Sequence, residues 1–197
     1  MAMTMIDDPG LDQLFRKART FSRWQARAVP DAVVESALDM ALLGPTSGNC
    51  EPMRVVLVKS QEGKERLLTC VSSGNSDKVR TAPVTAIIAY DTLFYDHLPR
   101  LFPHTDARGW FTSNETLSTE TAFRNSSLQG AYFILALRAH GLDCGPMSGF
   151  NNAAVDAEFF SDGQHRSNFL MNIGYGERGA LHPRPPRLAL DEVARWI

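Results

Sequence analysis

The sequence has few of the residues that build metal centres and disulfide frameworks. Its three cysteines, Cys50, Cys70 and Cys144, are isolated, odd in number and never arranged as CxxC. Neither a zinc site nor a disulfide framework is therefore predicted. The five histidines show no metal-ligand spacing either, so we expect no metal. Reduced thiols are typical of the cytoplasm, which is the expected location.

The chain also lacks a strong charge of one sign and a long apolar run. A net charge of -2 argues against a nucleic-acid partner, because phosphate backbones attract a strong basic excess. No apolar run reaches the ~20 residues that span a bilayer, and the acidic stretch 1–10 is unlike a signal peptide. We therefore expect no membrane association. The GxSxG, P-loop and strand-linked GxGxxG motifs are absent as well.

What is present is ordinary globular material, with 44% apolar residues in 197. This length and composition predict a single domain over residues 1–197 with a sizeable core. Apolar periodicity predicts helices and strands in mixed order, and hence an α+β fold with helices packed on one open sheet. The expected helices are 11–18, 31–43, 60–71, 117–140 and 151–159, the expected strands are 55–58, 83–90 and 168–174, the expected loops are 72–78 and 142–150, and short helices with a mobile cover are expected over 91–118.

One polar stretch, residues 44–54, lies between a predicted helix and a predicted strand. Asp31 is expected to cap that helix, and Gly44 is expected to end it in the left-handed conformation. The stretch is rich in small side chains and backbone donors, and its glycines and prolines fix the path. Such a loop on rigid elements suits a polar, planar ligand, although a plain tight connector is an equal alternative.

Three further polar stretches accompany that loop: residues 19–23, residues 75–78, and residues 145–150 with Arg184 and Arg187 downstream. Arginines that converge from both ends of the chain would clamp a phosphate. Taken singly, each arginine is more simply an exposed residue. Cys50 has no histidine partner visible in the sequence, so a small buried residue is favoured over a nucleophile.

Together the four stretches resemble the FMN-dependent nitroreductase family over nearly the whole chain. Arg19-Thr20-x-Ser22-x-Trp24 resembles the N-terminal basic flavin motif, and residues 45–52 (PTSGNCEP) resemble the Pro-Ser-Ser-x-Asn-x-Gln-Pro loop of that family. The wording of residues 44–50 and 144–150 is similar to the malonic semialdehyde reductase branch. The resemblance implies a set of FMN-binding residues: Arg19, Thr20, Ser22, Pro45, Thr46, Ser47, Asn49, Asn75, Lys78, Pro146, Met147, Ser148, Gly149 and Arg187.

The sequence departs from the family at two positions. Ser148 stands where many relatives carry glutamate, a change that is tolerable if only the backbone N–H there meets flavin N5. Ser22 stands where relatives often carry a basic residue, so either Arg23 or Lys78 would supply positive charge at flavin N1/O2. Whether Arg184 shares the phosphate with Arg187 is left open.

The resemblance implies a central, mainly antiparallel sheet flanked by helices, and an intertwined homodimer with FMN at the interface. The 44–54 loop would then reach the partner's flavin. It also implies ping-pong hydride transfer from NADPH or NADH through flavin N5 to a small-molecule substrate, with malonic semialdehyde (3-oxopropanoate) reduced to 3-hydroxypropanoate in pyrimidine catabolism. No protein residue is assigned as catalytic, because the cofactor carries the chemistry.

Two alternatives remain at this point. One is a nitroaromatic or quinone reductase on the same fold, and the other is a flavin-binding protein without turnover. Trp110, Phe111 and Phe123 are candidates to cover the flavin face, but core packing explains them equally well.

Overall fold

The computed structural model describes residues 4–197, so the first three positions of the expected domain 1–197 and of the stretch 1–10 lie outside the described residues. The α-helices are α1 (Asp8–Leu11), α2 (Asp31–Ala41), α3 (Gln61–Leu68), α4 (Ser73–Thr81), α5 (Leu98–Leu101), α6 (Gly109–Thr112), α7 (Glu115–Ala139), α8 (Asn152–Phe159) and α9 (Leu190–Val193). A π-helical turn covers Asp12–Arg16, and 3-10 turns cover Ser47–Asn49, Phe94–His97 and Arg178–Ala180. The strands are β1 (Met53–Val58), β2 (Val84–Asp91), β3 (Asp143–Met147) and β4 (His165–Gly174).

Within residues 4–197 the four strands form one sheet in the order β1-β2-β4-β3, and every neighbouring pair is antiparallel. In the central register Val56 faces Ile87, and Ile87 faces Leu170. The β2–β4 pairing shifts between Ile88 and Ala89, which marks a bulge. The predicted α+β fold with a mainly antiparallel sheet is confirmed.

Helices cover both faces of this sheet. Helices α2 and α7 pack on one face, where Phe133 and Leu137 join Ile88 in a buried cluster. Helices α3, α4 and α8 pack on the other face around Ile87 and Leu170. Because β2 is buried on both sides, it has an almost unbroken apolar run rather than the alternation of a half-exposed strand.

Most predicted elements are confirmed. The expected strand 83–90 is β2, and the expected central helix 117–140 is α7, which is followed by Gly141 at a φ of 78°. Ser60 caps α3 as expected, since its Oγ accepts a hydrogen bond from the Gly63 amide at 3.1 Å. No helix within residues 4–197 combines the length and the apolar character that a membrane crossing requires.

Two segments expected as loops are regular structure. Residues 73–81 form α4 instead of the loop expected at 72–78, because Val79 is buried and Asn172 Nδ2 bonds the Lys78 carbonyl. Residues 143–147 form the edge strand β3 instead of part of the loop expected at 142–150. Pro146 lacks an N–H and is tolerated there because β3 pairs with β4 on one side.

Helix boundaries also differ from expectation; α3, for example, ends at Leu68 rather than at residue 71. The first helix begins at Asp8 rather than at residue 11 and continues as a π-helical turn to Arg16. Asp31 is the first residue of α2 rather than its cap, and its carboxylate pairs with Lys59 at 2.6 Å. Gly44 is not left-handed; a Cβ there would lie 2.7 Å from Tyr132 Cγ, so the glycine is needed for close approach to α7.

The packing of α7 against β4 predicts opposite effects for the same substitution at two helical glycines. A Cβ on Gly130 would lie 2.6 Å from Phe169 Cζ, whereas a Cβ on Gly74 in α4 would meet nothing within 4 Å. We expect Gly130→Ala to lower the free energy of unfolding by about 1–3 kcal/mol through overpacking. We expect Gly74→Ala, the matched control, to raise it by about 0.4–1 kcal/mol.

Urea unfolding of both variants beside the wild type measures the two changes. A Gly130→Ala variant as stable as the Gly74→Ala variant would contradict the close helix–strand contact.

Candidate functional site

The two ends of the chain meet at a cavity of about 480 Å³. Four of the described residues that line it are arginines: Arg19, Arg138, Arg184 and Arg187. None of the described lining residues is acidic. Arg19 Nη2 donates to the His182 carbonyl at 2.6 Å, a contact between residues 163 positions apart. The cavity is therefore positively charged and suited to bind a phosphate or another anion.

The two C-terminal arginines are held differently. Arg184 Nη2 donates to the carbonyls of Arg16 and Ala18, at 2.9 and 2.6 Å, and so fastens the tail to the N-terminal segment. Arg187 Nη1 bonds only the neighbouring carbonyls of Pro185 and Pro186, both at 3.2 Å. Its contacts are local, so Arg187 is the freer of the two to turn its guanidinium to an anion.

The N-terminal segment reaches the cavity because it packs along the edge strand β3. Phe21 and Trp24 are buried, and the Phe21 amide donates to the Cys144 carbonyl at 3.1 Å. A Cβ on Gly145 would lie 2.2 Å from the Phe21 carbonyl oxygen, so only glycine permits this approach. With Phe21 turned to the core, the residues on either side of it, Thr20 and Ser22, line the cavity.

A second constellation joins α4 to the segment after β3. Asn75 Nδ2 donates to the Gly149 carbonyl at 3.0 Å, and Lys78 Nζ donates to Asn75 Oδ1 at 2.9 Å. Ser72 also bonds the Gly149 carbonyl, through its Oγ at 2.8 Å. The helix at 73–81 therefore places Asn75 and Lys78 one turn apart, with Asn75 bonded to Gly149 and Lys78 bonded to Asn75.

The predicted site residues of this segment lie in two kinds of structure. Pro146 and Met147 belong to β3, whereas Ser148 and Gly149 follow it. A Cβ on Gly149 would lie 2.5 Å from Asn75 Nδ2, so glycine is required for this contact. The predicted role of these residues toward a flavin stays a prediction.

The 44–54 loop is a third constellation, and none of its residues lines the arginine cavity. Pro45, Ser47 and Asn49 are exposed, and Thr46 is half-buried. Within one chain the structure brings Arg19, Thr20, Ser22 and Arg187 together, but it does not bring the loop to them.

Sequence reasoning missed the side chains that hold this loop. Asn125 Oδ1 accepts from the Ser47 amide at 2.8 Å, and Gln129 Oε1 accepts from the Met53 amide at 3.0 Å. Asn125 and Gln129 lie one turn apart on the buried side of α7. Polar residues at i and i+4 on an otherwise buried helix face were the available signal, because buried amides require specific partners.

The aromatic candidates separate into a buried residue and two half-exposed ones. Phe111 is buried with Phe94 and Leu98, so it belongs to the core. Trp110 lies beside the loop, since a Cβ on Gly48 would be 3.7 Å from its Cζ3. Phe123 is half-exposed and meets the Tyr90 ring edge-on.

Cys50 is fully buried in that same cluster. Burial raises the pKa of the Cys50 thiol to about 11 and that of Cys144 to about 12. Since the thiolate is the nucleophile, these environments disfavour covalent chemistry. Among residues 4–197, no group of three or more His, Cys, Asp and Glu side chains is placed to hold a metal ion.

Cysteine burial predicts a simple thiol count. All three cysteines are buried, so at pH 8 we expect the folded protein to react with a disulfide reagent over hours rather than minutes. After unfolding in denaturant all three thiols should react at once. One rapid equivalent in the folded protein would show a reactive cysteine, and its loss in a Cys50→Ser variant would identify Cys50.

Comparison with known proteins places this geometry in a family. The protein-family model described as "Nitroreductase family" matches residues 16–175 of the sequence. The protein "Putative NADH dehydrogenase/NAD(P)H nitroreductase" of Burkholderia lata is 55% identical over 193 residues, which cover 98% of this chain and 99% of that protein. A protein of the same name from Polynucleobacter asymbioticus is 53% identical over 194 residues, with 98% and 99% covered.

Solved structures agree in fold. A "putative nitroreductase in complex with FMN" from Exiguobacterium sibiricum superposes with a TM-score of 0.84 at 19% identity, and all of both chains is covered. A "putative NAD(P)H:FMN oxidoreductase" from Staphylococcus epidermidis gives 0.83 at 20% identity, with 99% of this chain and 98% of that chain covered. Identities this low show the fold alone, but the family match and the relatives above half identity go further: the chain belongs to the nitroreductase family.

Proposed function

We propose that this chain is an FMN-dependent NAD(P)H oxidoreductase, built as a single domain over residues 1–197. The observation that carries the proposal is the cavity where Arg19 and Arg187 converge from the two ends of the chain. Its lining suits the phosphate of a mononucleotide, because guanidinium groups bind phosphate through charge-assisted hydrogen bonds. The names of the similar proteins, which include NAD(P)H, nitroreductase and FMN, support the same activity.

The chain's own residues would hold the cofactor mainly at its phosphate. Arg19, Thr20, Ser22 and Arg187 would bind its phosphate end. Neither Lys78, which donates to Asn75, nor Arg23 lines the arginine cavity, and either of them would supply positive charge at flavin N1/O2. Bound FMN would supply hydride transfer from NADPH or NADH to an acceptor, and the protein would supply binding, orientation and electrostatics.

The 44–54 loop and the exposed apolar surface support a homodimer with FMN at the interface. Helix α7 buries one face on the sheet, yet its outer face forms an apolar groove that includes Phe123 and Leu128. Beyond the cavity the tail exposes Leu188, Leu190 and Trp196. Large exposed apolar patches mark interaction surfaces, and a second copy that covers them would bring its own flavin to the loop.

For the acceptor we propose malonic semialdehyde, because the sequences of residues 44–50 and 144–150 are similar to those of the malonic semialdehyde reductase branch. Nitroaromatic compounds and quinones are the second candidates, and the name nitroreductase that the relatives carry favours nitroaromatic compounds among these two. The test is an anaerobic reoxidation series in which the NAD(P)H-reduced holoprotein meets 3-oxopropanoate, a nitroarene or a quinone. The fastest acceptor identifies the substrate class, and a flavin that NAD(P)H never bleaches would indicate a binding protein without turnover.

The proposal predicts that the purified protein is yellow and releases FMN. Heat-released cofactor should co-elute with FMN rather than FAD on chromatography, because the cavity offers one phosphate end and the sequence has no dinucleotide motif. Released FAD, or a colourless protein that binds no added FMN, would overturn the proposed cofactor.

Arg187→Ala should weaken FMN binding without unfolding the chain. A charge-assisted hydrogen bond contributes roughly 1.5–3 kcal/mol, or about a tenfold to hundredfold change in affinity. Recovery of flavin fluorescence on dilution of the holoprotein measures the affinity. The control is Arg66→Ala, an exposed arginine paired with Glu158 away from the cavity, which should bind FMN as the wild type does. An Arg187→Ala variant with wild-type affinity would favour Arg184 as the phosphate ligand.

The shared site predicts that dimerisation and FMN binding are linked, since each completes the site for the other. Removal of FMN should weaken the dimer, and Ser47→Trp should weaken both the dimer and FMN binding while the fold survives. Sedimentation of apo and holo protein over a concentration series measures this, with Glu65→Trp on the exposed side of α3 as the control. A monomer with full FMN affinity would show that the loop serves its own chain.

A further inference from the structure

The backbone of the 44–54 loop turns left-handed at three positions close together. Gly48 has a φ of 57°, Asn49 a φ of 52° and Glu51 a φ of 39°. Glycine adopts this conformation freely and asparagine with little cost, but glutamate pays a steric penalty. Glu51 therefore stays left-handed only if its surroundings hold it there.

The Glu51 backbone is contacted by Thr46, whose Oγ1 accepts from the Glu51 amide at 3.3 Å, and by Arg54. Arg54 Nη1 donates to the carbonyls of Glu51 and Met53, at 3.1 and 2.9 Å. Its Nη2 donates to Asp91 Oδ2 at 2.7 Å. The planar guanidinium thus grips the strained residue on one side and a carboxylate on the other, a geometry that a lysine ammonium does not reproduce.

Asp91 is anchored at the end of β2 and is almost fully buried. Its Oδ1 accepts from the Leu93 amide at 2.8 Å and from Gln164 Nε2 at 2.9 Å. Its own amide donates to the Pro52 carbonyl at 2.9 Å. The carboxylate is therefore fixed by its place at the end of β2 and by Gln164 just before β4, and it gives Arg54 a rigid partner.

We propose that Arg54, held by Asp91, is a positioning residue that keeps Glu51 left-handed and so presents residues 45–49 to the flavin. This inference rests on the proposed function, because the loop's ligand is the FMN proposed above. Arg54 and Asp91 act through the backbone and touch no cofactor themselves. We call the contacts of Arg54 with Glu51 and Asp91 the clamp. Its effect is preorganisation, because without it the loop must be forced into its strained form each time FMN binds.

The test uses substitutions at Glu51 to separate the effect of its backbone conformation on FMN binding from the effect of its carboxylate. Arg54→Lys keeps a positive charge beside Asp91 but removes the two-sided grip. We expect it to raise the FMN dissociation constant about tenfold, the order of factor that one strained left-handed residue corresponds to. Adding Glu51→Gly should restore affinity to within about threefold, because glycine adopts positive φ freely. Adding Glu51→Ala, which removes the same carboxylate, should restore nothing.

FMN dissociation is read by fluorescence on dilution of the holoprotein, and thermal unfolding of each variant is recorded in parallel. Arg66→Lys, in the exposed pair with Glu158, is the matched control and should leave FMN affinity unchanged. Asp91→Asn reaches the clamp from its other side. It should give the same pattern, with rescue by glycine and not by alanine, and it serves as the second test if Arg54→Lys folds poorly.

The outcomes distinguish this inference from the function on which it rests. A wild-type chain that binds no FMN overturns the proposed function and this inference with it. A wild-type chain that binds FMN, while Arg54→Lys and Asp91→Asn bind it equally well, overturns the clamp alone. Equal rescue by glycine and alanine also overturns it, because the effect would then come from the Glu51 carboxylate.

Discussion

Helix α7 supports most of the structure through one continuous surface. With 25 residues, it is about 37 Å long at 1.5 Å per residue. Phe133 and Leu137 pack on the sheet, and Asn125 and Gln129 hold the amides at either end of the 44–54 loop. Near its C-terminus, Arg138 reaches the N-terminal segment through the Leu14 carbonyl. Apolar burial thus fixes the helix, and the fixed helix positions the loop.

The candidate site combines rigid anchors with segments that could not hold their shape alone. Residues 19–24 are set by the close approach of Phe21 to Gly145, and the loop is set by buried amides and by the ion pair of Arg54 with Asp91. A loop ordered before its ligand arrives loses less entropy when it binds. The strain at Glu51 is the counterpart of this order, and it falls where the chain is proposed to meet a cofactor.

The separation of the loop from the arginine cavity has a consequence for assembly. One chain presents a cationic cavity and, elsewhere, an exposed loop that resembles a flavin contact. The apolar outer face of α7 lies on the same helix that holds the loop. A second copy on that face would unite the two halves, which gives the proposed dimer a functional rather than a merely stabilising role.

The sequence by itself determined the elements whose signals are local. The apolar run of β2, the periodicity of α7 with Gly141 at its end and the Ser60 cap are each encoded within a few residues. Tertiary structure alone decided α4, whose serines, glycine and asparagine favour turns but which the burial of Val79 stabilises as a helix. It also decided the meeting of Arg19 with the C-terminal tail, because a contact across 163 residues depends on sheet order and packing rather than on local sequence.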